Sequence, residues 1–242
     1  MELNKINNMD CLEGMKTLDN NSVNLIVTDP PYLMNYMTNR RKNKGHEFCK
    51  PILNDNNEEL VSNYIKECYR ILKNNTAIYI FANDIKIDFF KQEIEKYFNI
   101  KNIIDWIKNN HTAGDLEAAY GRQKEYIIFA NKGRRKINGK RLTDVWYFDR
   151  VVGNEQIHQN QKPIELINRC ILKSSNEGDV VFDGFMGSGT TAASAVVNNR
   201  KFIGAELDYN EWLKAINRIG KINKKYLEVL PEKEKPARLQ LF

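Results

Sequence analysis

Apolar, often β-branched runs alternate along this chain with segments whose apolar residues recur every three or four positions. The first pattern predicts buried strands and the second amphipathic helices that pack on them. Strands are expected over 3–9, 23–28, 76–82, 100–107, 124–130, 179–183 and 201–206. Helical spacing is carried by Leu60, Tyr64, Ile65, Cys68, Ile71 and Leu72, by Ile87, Phe90, Ile94 and Phe98, and by Ile164, Ile167, Ile171 and Leu172. Shorter helices are expected over 12–18, 190–198 and 211–219. Strand following helix in this rhythm means crossover units, hence an α/β domain on a doubly wound, mostly parallel sheet. A chain of 242 residues suits a single such domain, 1–242, with a real core. The rhythm lapses from Asn131 to Gln156, where no helix-sheet unit can be drawn. Residues 131–157 therefore read as a small insertion, and the Lys-, Glu- and Pro-rich stretch 221–242 as a charged C-terminal extension.

Charge adds a partner to this picture. Lys plus Arg is 37 and Asp plus Glu is 31, so the net charge is 37 − 31 = +6, which points to a polyanion. The cations cluster at Arg40, Arg41, Lys42 and Lys44, and again at Arg134, Arg135, Lys136, Lys140 and Arg141, ahead of Trp146-Tyr147-Phe148. Cations interleaved with aromatics suit nucleic acid, although a solvated charge run and a hydrophobic patch under a loop would look the same. The four cysteines and three histidines are scattered, which argues against a metal site or a disulfide framework. With no signal-peptide core and no apolar run longer than 77–82, a cytoplasmic protein with reduced thiols and no membrane partner is expected.

Two constellations carry the chemistry. Val23 to Thr28 runs straight into Asp29-Pro30-Pro31-Tyr32, which parks a carboxylate and an aromatic ring at the carboxyl end of a strand, where open α/β sheets keep their sites. The second is Asp183-Gly184-Phe185-Met186-Gly187-Ser188-Gly189-Thr190-Thr191, between a strand and a helix. A triphosphate loop would need lysine where Thr190 stands. A dinucleotide fingerprint fits the glycine spacing, with Glu206 about twenty residues on. A nucleoside bearing a sulfonium chain fits as well: Glu206 would accept from both ribose hydroxyls, and Asp183 would meet an amino group instead of repelling a phosphate.

Together these residues resemble the amino-methylating DNA methyltransferases, in the family's β arrangement of motifs. The likeness covers most of residues 9–212 and includes Met9 to Met15, Trp106-Ile107-Lys108, His158 to Pro163, Phe182 to Thr191 and Phe202 to Asp208. It departs at Gly184, where the family usually has proline, and at Gln159-Asn160, where Pro-Thr is common. The resemblance implies a Rossmann-like fold, S-adenosylmethionine as cofactor and double-stranded DNA as partner, and leaves room for a homodimer and a cognate restriction endonuclease. It makes Asp29, Pro30, Pro31 and Tyr32 catalytic. The cofactor would be held by Asp10, Cys11, Asp29, Lys162, Asp183, Phe185, Met186, Gly187, Ser188, Gly189, Thr190 and Glu206, with Thr190 and Lys162 near its methionine carboxylate. The two cationic clusters would grip DNA, and residues 131–157 would recognise the target. Aspartate at position 29, where cytosine-directed relatives more often carry serine, implies the N6 amine of a flipped adenine. The alternatives are an N4-cytosine or RNA amino-methylase, a nicotinamide-dependent oxidoreductase, and a non-catalytic nucleic-acid-binding module.

Overall fold

In the computed structural model, residues 1–34, 53–111, 116–153, 156 and 160–223 are described. Arg40, Arg41, Lys42, Lys44, His158 and most of the C-terminal extension lie outside them. The strands are β1 (Lys5–Asn8), β2 (Val23–Thr28), β3 (Leu72–Ala82), β4 (Asn99–Ile107), β5 (Lys124–Lys132), β6 (Val145–Tyr147), β7 (Val180–Asp183) and β8 (Lys201–Glu206). The helices are α1 (Cys11–Met15), α2 (Glu58–Ile71), α3 (Ile87–Glu95), α4 (Ile164–Ser174), α5 (Thr190–Val197) and α6 (Tyr209–Ile222). They form one sheet in the order β1-β8-β7-β2-β3-β5-β4-β6.

Strand alternation explains the layers. Leu25, Val27, Ala77, Tyr79 and Phe81 point to one face and pack with Leu166, Ile167, Ile171, Trp212 and Ile216 of α4 and α6. Ile26, Ile78, Ile80 and Ala82 point to the other and meet Val61, Tyr64, Ile65, Phe90 and Ile94 of α2 and α3. Each such buried side chain contributes roughly 1.5–3 kcal/mol. The helix ends are satisfied locally: Asn57 caps α2 by accepting from Leu60 N at 2.9 Å, and Asp208 caps α6 by accepting from Asn210 N and Glu211 N.

β7 sends the chain through α5 to β8, whereas β2 sends it through α2 to β3 in the opposite direction, on the opposite face. Neighbouring strands whose connections diverge leave a crevice at their carboxyl ends. This switch point lies between β7 and β2.

The far side of the sheet departs from a plain crossover pattern. β5 runs antiparallel to both β3 and β4. Residues 131–156 do contribute to the sheet: β6 pairs parallel with β4 as an edge strand, with Trp146 buried and Tyr147 72% exposed. The aromatics that suited nucleic acid thus divide, since the Arg169 guanidinium lies 5.1 Å from the Trp146 ring centroid and 4.2 Å from that of Phe148. Among the described residues there is no group of three metal-capable side chains, and no helix is long and apolar enough to cross a membrane. Cys11, Cys68 and Cys170 are buried and free.

Lys132, the cation just ahead of the second cluster, is a structural residue. Its buried ammonium donates to Tyr69 O and Leu72 O at 2.7 Å and to Asn21 Oδ1 at 2.8 Å, closing the carbonyl end of α2. Lys132→Met should leave those carbonyls unpaired and cost about 1–3 kcal/mol of stability, measured by urea denaturation.

Candidate active site

The two constellations, 155 positions apart at Thr28 and Asp183, meet at the switch point. β2 pairs with β7 through Leu25 with Val181 and Ile26 with Phe182. One step further on, Thr28 Oγ1 donates to Asp183 Oδ1 at 2.9 Å and lies 2.8 Å from Tyr64 Oη. A single cavity opens above this contact. Asp29, Pro30, Pro31 and Tyr32 line one side, Asp183 to Ser188 and Thr190 the other, and Asp10, Cys11 and Glu206 also border it.

The glycine loop is shaped by its neighbours. Gly189 adopts φ +78°, and a Cβ there would lie 2.9 Å from Ala215 Cβ, so the start of α5 sits hard against α6. At Gly184 a Cβ would lie 2.4 Å from Tyr64 Cε2, while the Gly184 N–H donates to Tyr64 Oη at 3.1 Å. A proline has neither that space nor that donor, so Tyr64 accounts for the departure from the family's usual residue. Tyr64 also takes the edge of Phe185, ring centroids 4.7 Å apart.

The acids of the cavity are already engaged. Buried Asp183 accepts from Thr28 and Phe185 N on Oδ1 and from Thr191 Oγ1 on Oδ2. Burial pushes its pKa up to about 6 against those three bonds. Glu206 ends β8 and accepts from Gly187 N at 2.7 Å and Asp208 N at 2.8 Å. Burial raises its pKa to about 7, the two N–H bonds oppose this, and nearby Glu211 and Asp208 add to it. Asp10 caps α1 through Leu12 N and Glu13 N. Burial pushes the Cys11 thiol up to about 12, so it stays neutral. Thr190 Oγ1 accepts from Arg218 Nη1 at 2.7 Å, and Ser188 and Met186 are buried in the loop.

Around Asp29 the structure assembles charges from motifs far apart in the chain, together with Glu125, which none of those motifs contains. Lys162 Nζ lies 2.8 Å from Asp29 Oδ2 and 3.2 Å from Glu125 Oε2, and donates to Tyr32 Oη at 3.1 Å. Lys162, which the resemblance places near a cofactor carboxylate, lines the cavity with its ammonium on these three partners. Glu125 also accepts from Tyr32 Oη at 3.2 Å and Lys108 Nζ at 3.0 Å. Burial raises the Glu125 pKa, but the Lys162 and Lys108 ammoniums outweigh it and hold the carboxyl down to about 2. Burial lowers Lys162 in turn, and Asp29 and Glu125 more than reverse that. Asp29 Oδ1, by contrast, is buried without a hydrogen-bond partner. Leu33, just after the turn, is buried at φ +59°, a backbone shape that costs a leucine about 1–2 kcal/mol.

Glu125 was legible only weakly: it is an acid two and four positions before Ile127 and Phe129, which face the core. The second cationic cluster is not brought to the cavity. It follows the far end of β5, whose nine residues separate its ends by about 26 Å. There Arg135 donates to Ser174 O and Asn138 Oδ1, and Lys173 Nζ donates to Lys140 O. Arg134, Lys136, Lys140 and Arg141 are exposed at that amino edge of the sheet.

The profile of a DNA methylase family matches residues 23–218. The chain is 30% identical to the type II methyltransferase M.HinfI of Haemophilus influenzae, covering 99% of this chain and 75% of that protein. It is 31% identical to the DNA adenine methyltransferase YhdJ of Escherichia coli strain K12, covering 85% and 78%. Among solved structures, the M1.HpyAVI-SAM complex superposes with a TM-score of 0.69 at 26% identity, covering 89% of this chain and 98% of that one. The cytosine-N4-specific PvuII DNA methyltransferase superposes with a TM-score of 0.73 at 16% identity, covering 92% and 90%, a likeness of fold.

The Tyr64 contact has a measurable consequence. Gly184→Ala should destabilise the protein by about 1–3 kcal/mol in urea denaturation, and Gly184→Ala with Tyr64→Leu should lose less than the sum of the single changes.

Proposed function

The chain belongs to the N6/N4 DNA methylase family, and from that premise we propose that it is a DNA adenine methyltransferase, acting on the N6 amine of an adenine turned out of duplex DNA. One observation carries the reading: the Asp29 carboxylate is divided, with Oδ2 held by Lys162 and Oδ1 buried and unpartnered, and Asp29 lines a cavity shared with the glycine loop. Aspartate at this position and the likeness to an adenine methyltransferase both favour adenine over cytosine.

The residues present fit S-adenosylmethionine. The cavity joins a glycine turn, a carboxylate ending the next strand and the rims at Asp10, Cys11 and Phe185, with Thr190 at the first turn of α5. When bound, S-adenosylmethionine supplies a methyl group carried on a sulfonium. Glu206 would take the ribose hydroxyls and Phe185 would line the pocket. Thr190, held by Arg218, and Lys162 would approach the methionine carboxylate.

An exocyclic amine is a weak nucleophile because its lone pair is drawn into the ring. Asp29 Oδ1 and the carbonyl of Pro30 would accept its two N–H bonds and free that lone pair. As the carbon-nitrogen bond forms and the carbon-sulfur bond breaks, positive charge grows on nitrogen. Asp29 stabilises it and takes the proton afterwards. Tyr32 would offer its ring to the extruded base. Gripping of DNA by the Arg40 to Lys44 segment belongs to the same proposal. The exposed cations at 134–141 would contact duplex running past the amino edge.

Methyl transfer from tritiated S-adenosylmethionine to unmethylated duplex, followed by nucleoside analysis, should give N6-methyladenine. N4-methylcytosine alone would overturn the choice of base, and no transfer would overturn the activity. Asp29→Ala should lower the turnover by about a hundredfold or more while still binding S-adenosylmethionine. Glu206 accepts from two hydroxyls more strongly when ionised, and burial raises its pKa to about 7. Affinity for S-adenosylmethionine should therefore rise as pH increases from 6 to 8. Glu206→Gln should bind about tenfold or more weakly at pH 8 and show a flat profile by calorimetry.

A further inference from the structure

Behind the Asp29 turn stands a second acid. Glu125, the second residue of β5, accepts from Lys108 on Oε1 at 3.0 Å and from Tyr32 on Oε2 at 3.2 Å, and its Oε2 also lies 3.2 Å from Lys162 Nζ. The Lys162 side chain is 8% exposed and that of Lys108 11%, so water does little to screen these charges. Counting the four groups, two ammoniums face two carboxylates.

We propose that Glu125 is a positioning residue for methyl transfer: it shares Lys162 with Asp29, so that Asp29 keeps its carboxylate oriented and its negative charge available at Oδ1. The inference rests on the role given to Asp29 above. A lysine paired with Asp29 alone would spend its whole charge there and weaken the acceptor that the amine needs. Removing Glu125 would also leave Lys108 and Lys162 against a single carboxylate, and positive charge growing on the amine nitrogen would meet a net positive wall. Glu125 and Tyr32 together hold the Lys162 head, which fixes Asp29 Oδ2 and leaves Oδ1 as the unpartnered acceptor.

Glu125→Gln keeps the shape and an acceptor oxygen but removes the charge, whereas Glu125→Asp keeps the charge. Glu125→Gln should lower kcat by about ten- to a hundredfold, and Glu125→Asp should recover most of that loss. KM for S-adenosylmethionine and for DNA should each stay within about twofold. A Glu125→Gln enzyme with the parent's kcat, or a loss that Glu125→Asp does not relieve, would overturn the inference. Should Glu125→Gln fail to fold, as judged by S-adenosylmethionine binding, Glu125→Gln with Lys108→Met restores the charge balance and carries the test. A low kcat in that pair supports the sharing of Lys162, and parental kcat overturns it. An inactive parent enzyme removes the proposed function and this inference together. An active parent with an indifferent Glu125 removes the inference alone.

Discussion

The hydrogen bond from Thr28 to Asp183 joins the last residues of two adjacent parallel strands, and the arrangement of the cavity depends on that adjacency. Parallel strands deliver their carboxyl ends to the same edge of a sheet, and connections that diverge on opposite faces leave that edge open. An acid-proline turn after β2 and a glycine turn after β7 then have to share one crevice. Tyr64 reinforces the join from below: its hydroxyl lies 2.8 Å from Thr28 Oγ1 and accepts from the Gly184 N–H, so one helix residue registers both turns.

The electrostatics follow from what this crevice must exclude. Buried ionised groups are costly unless they are paired and hydrogen-bonded, and removing one member of such a set costs more than the set contributes. Here Asp29, Glu125, Lys108 and Lys162 satisfy one another except at a single oxygen, Asp29 Oδ1. A half-satisfied carboxylate is a liability in a core and an asset where a donor is to arrive. Glu206 carries a related tension, since burial raises its pKa to about 7 against the two N–H bonds it accepts.

Much of this was legible in the chain. The strand before Asp29 and the strand-loop-helix-strand unit ending at Glu206 are local patterns, and both constellations fell where periodicity put them. The family likeness was written in the same residues, and the matching profile covers them. What the sequence concealed depends on contacts across the fold. β6 is three residues long, too short for alternation to register, and its pairing with β4 is supplied by the sheet. Glu125 looks like a strand-end acid until Lys162, 37 positions later, is folded beside it. The cations from Lys132 to Arg141 look like one run in the sequence, yet Lys132 caps a helix and Arg135 bonds to α4, because a charge run carries no record of which edge of the sheet it reaches. Gly184 was a departure from the family pattern in sequence and a fit to Tyr64 in space.

On the proposed function, methyl donor and amine acceptor meet in one cavity between these two turns. The most direct measurement is the affinity of a bisubstrate compound in which adenosine, through N6, is tethered to the methyl-bearing position of an S-adenosylmethionine analogue. Such a compound should bind at least about a hundredfold tighter than S-adenosylmethionine, and changes at both Asp29 and Glu206 should weaken it. Binding no tighter than the cofactor, or sensitive to Glu206 and indifferent to Asp29, would contradict that function.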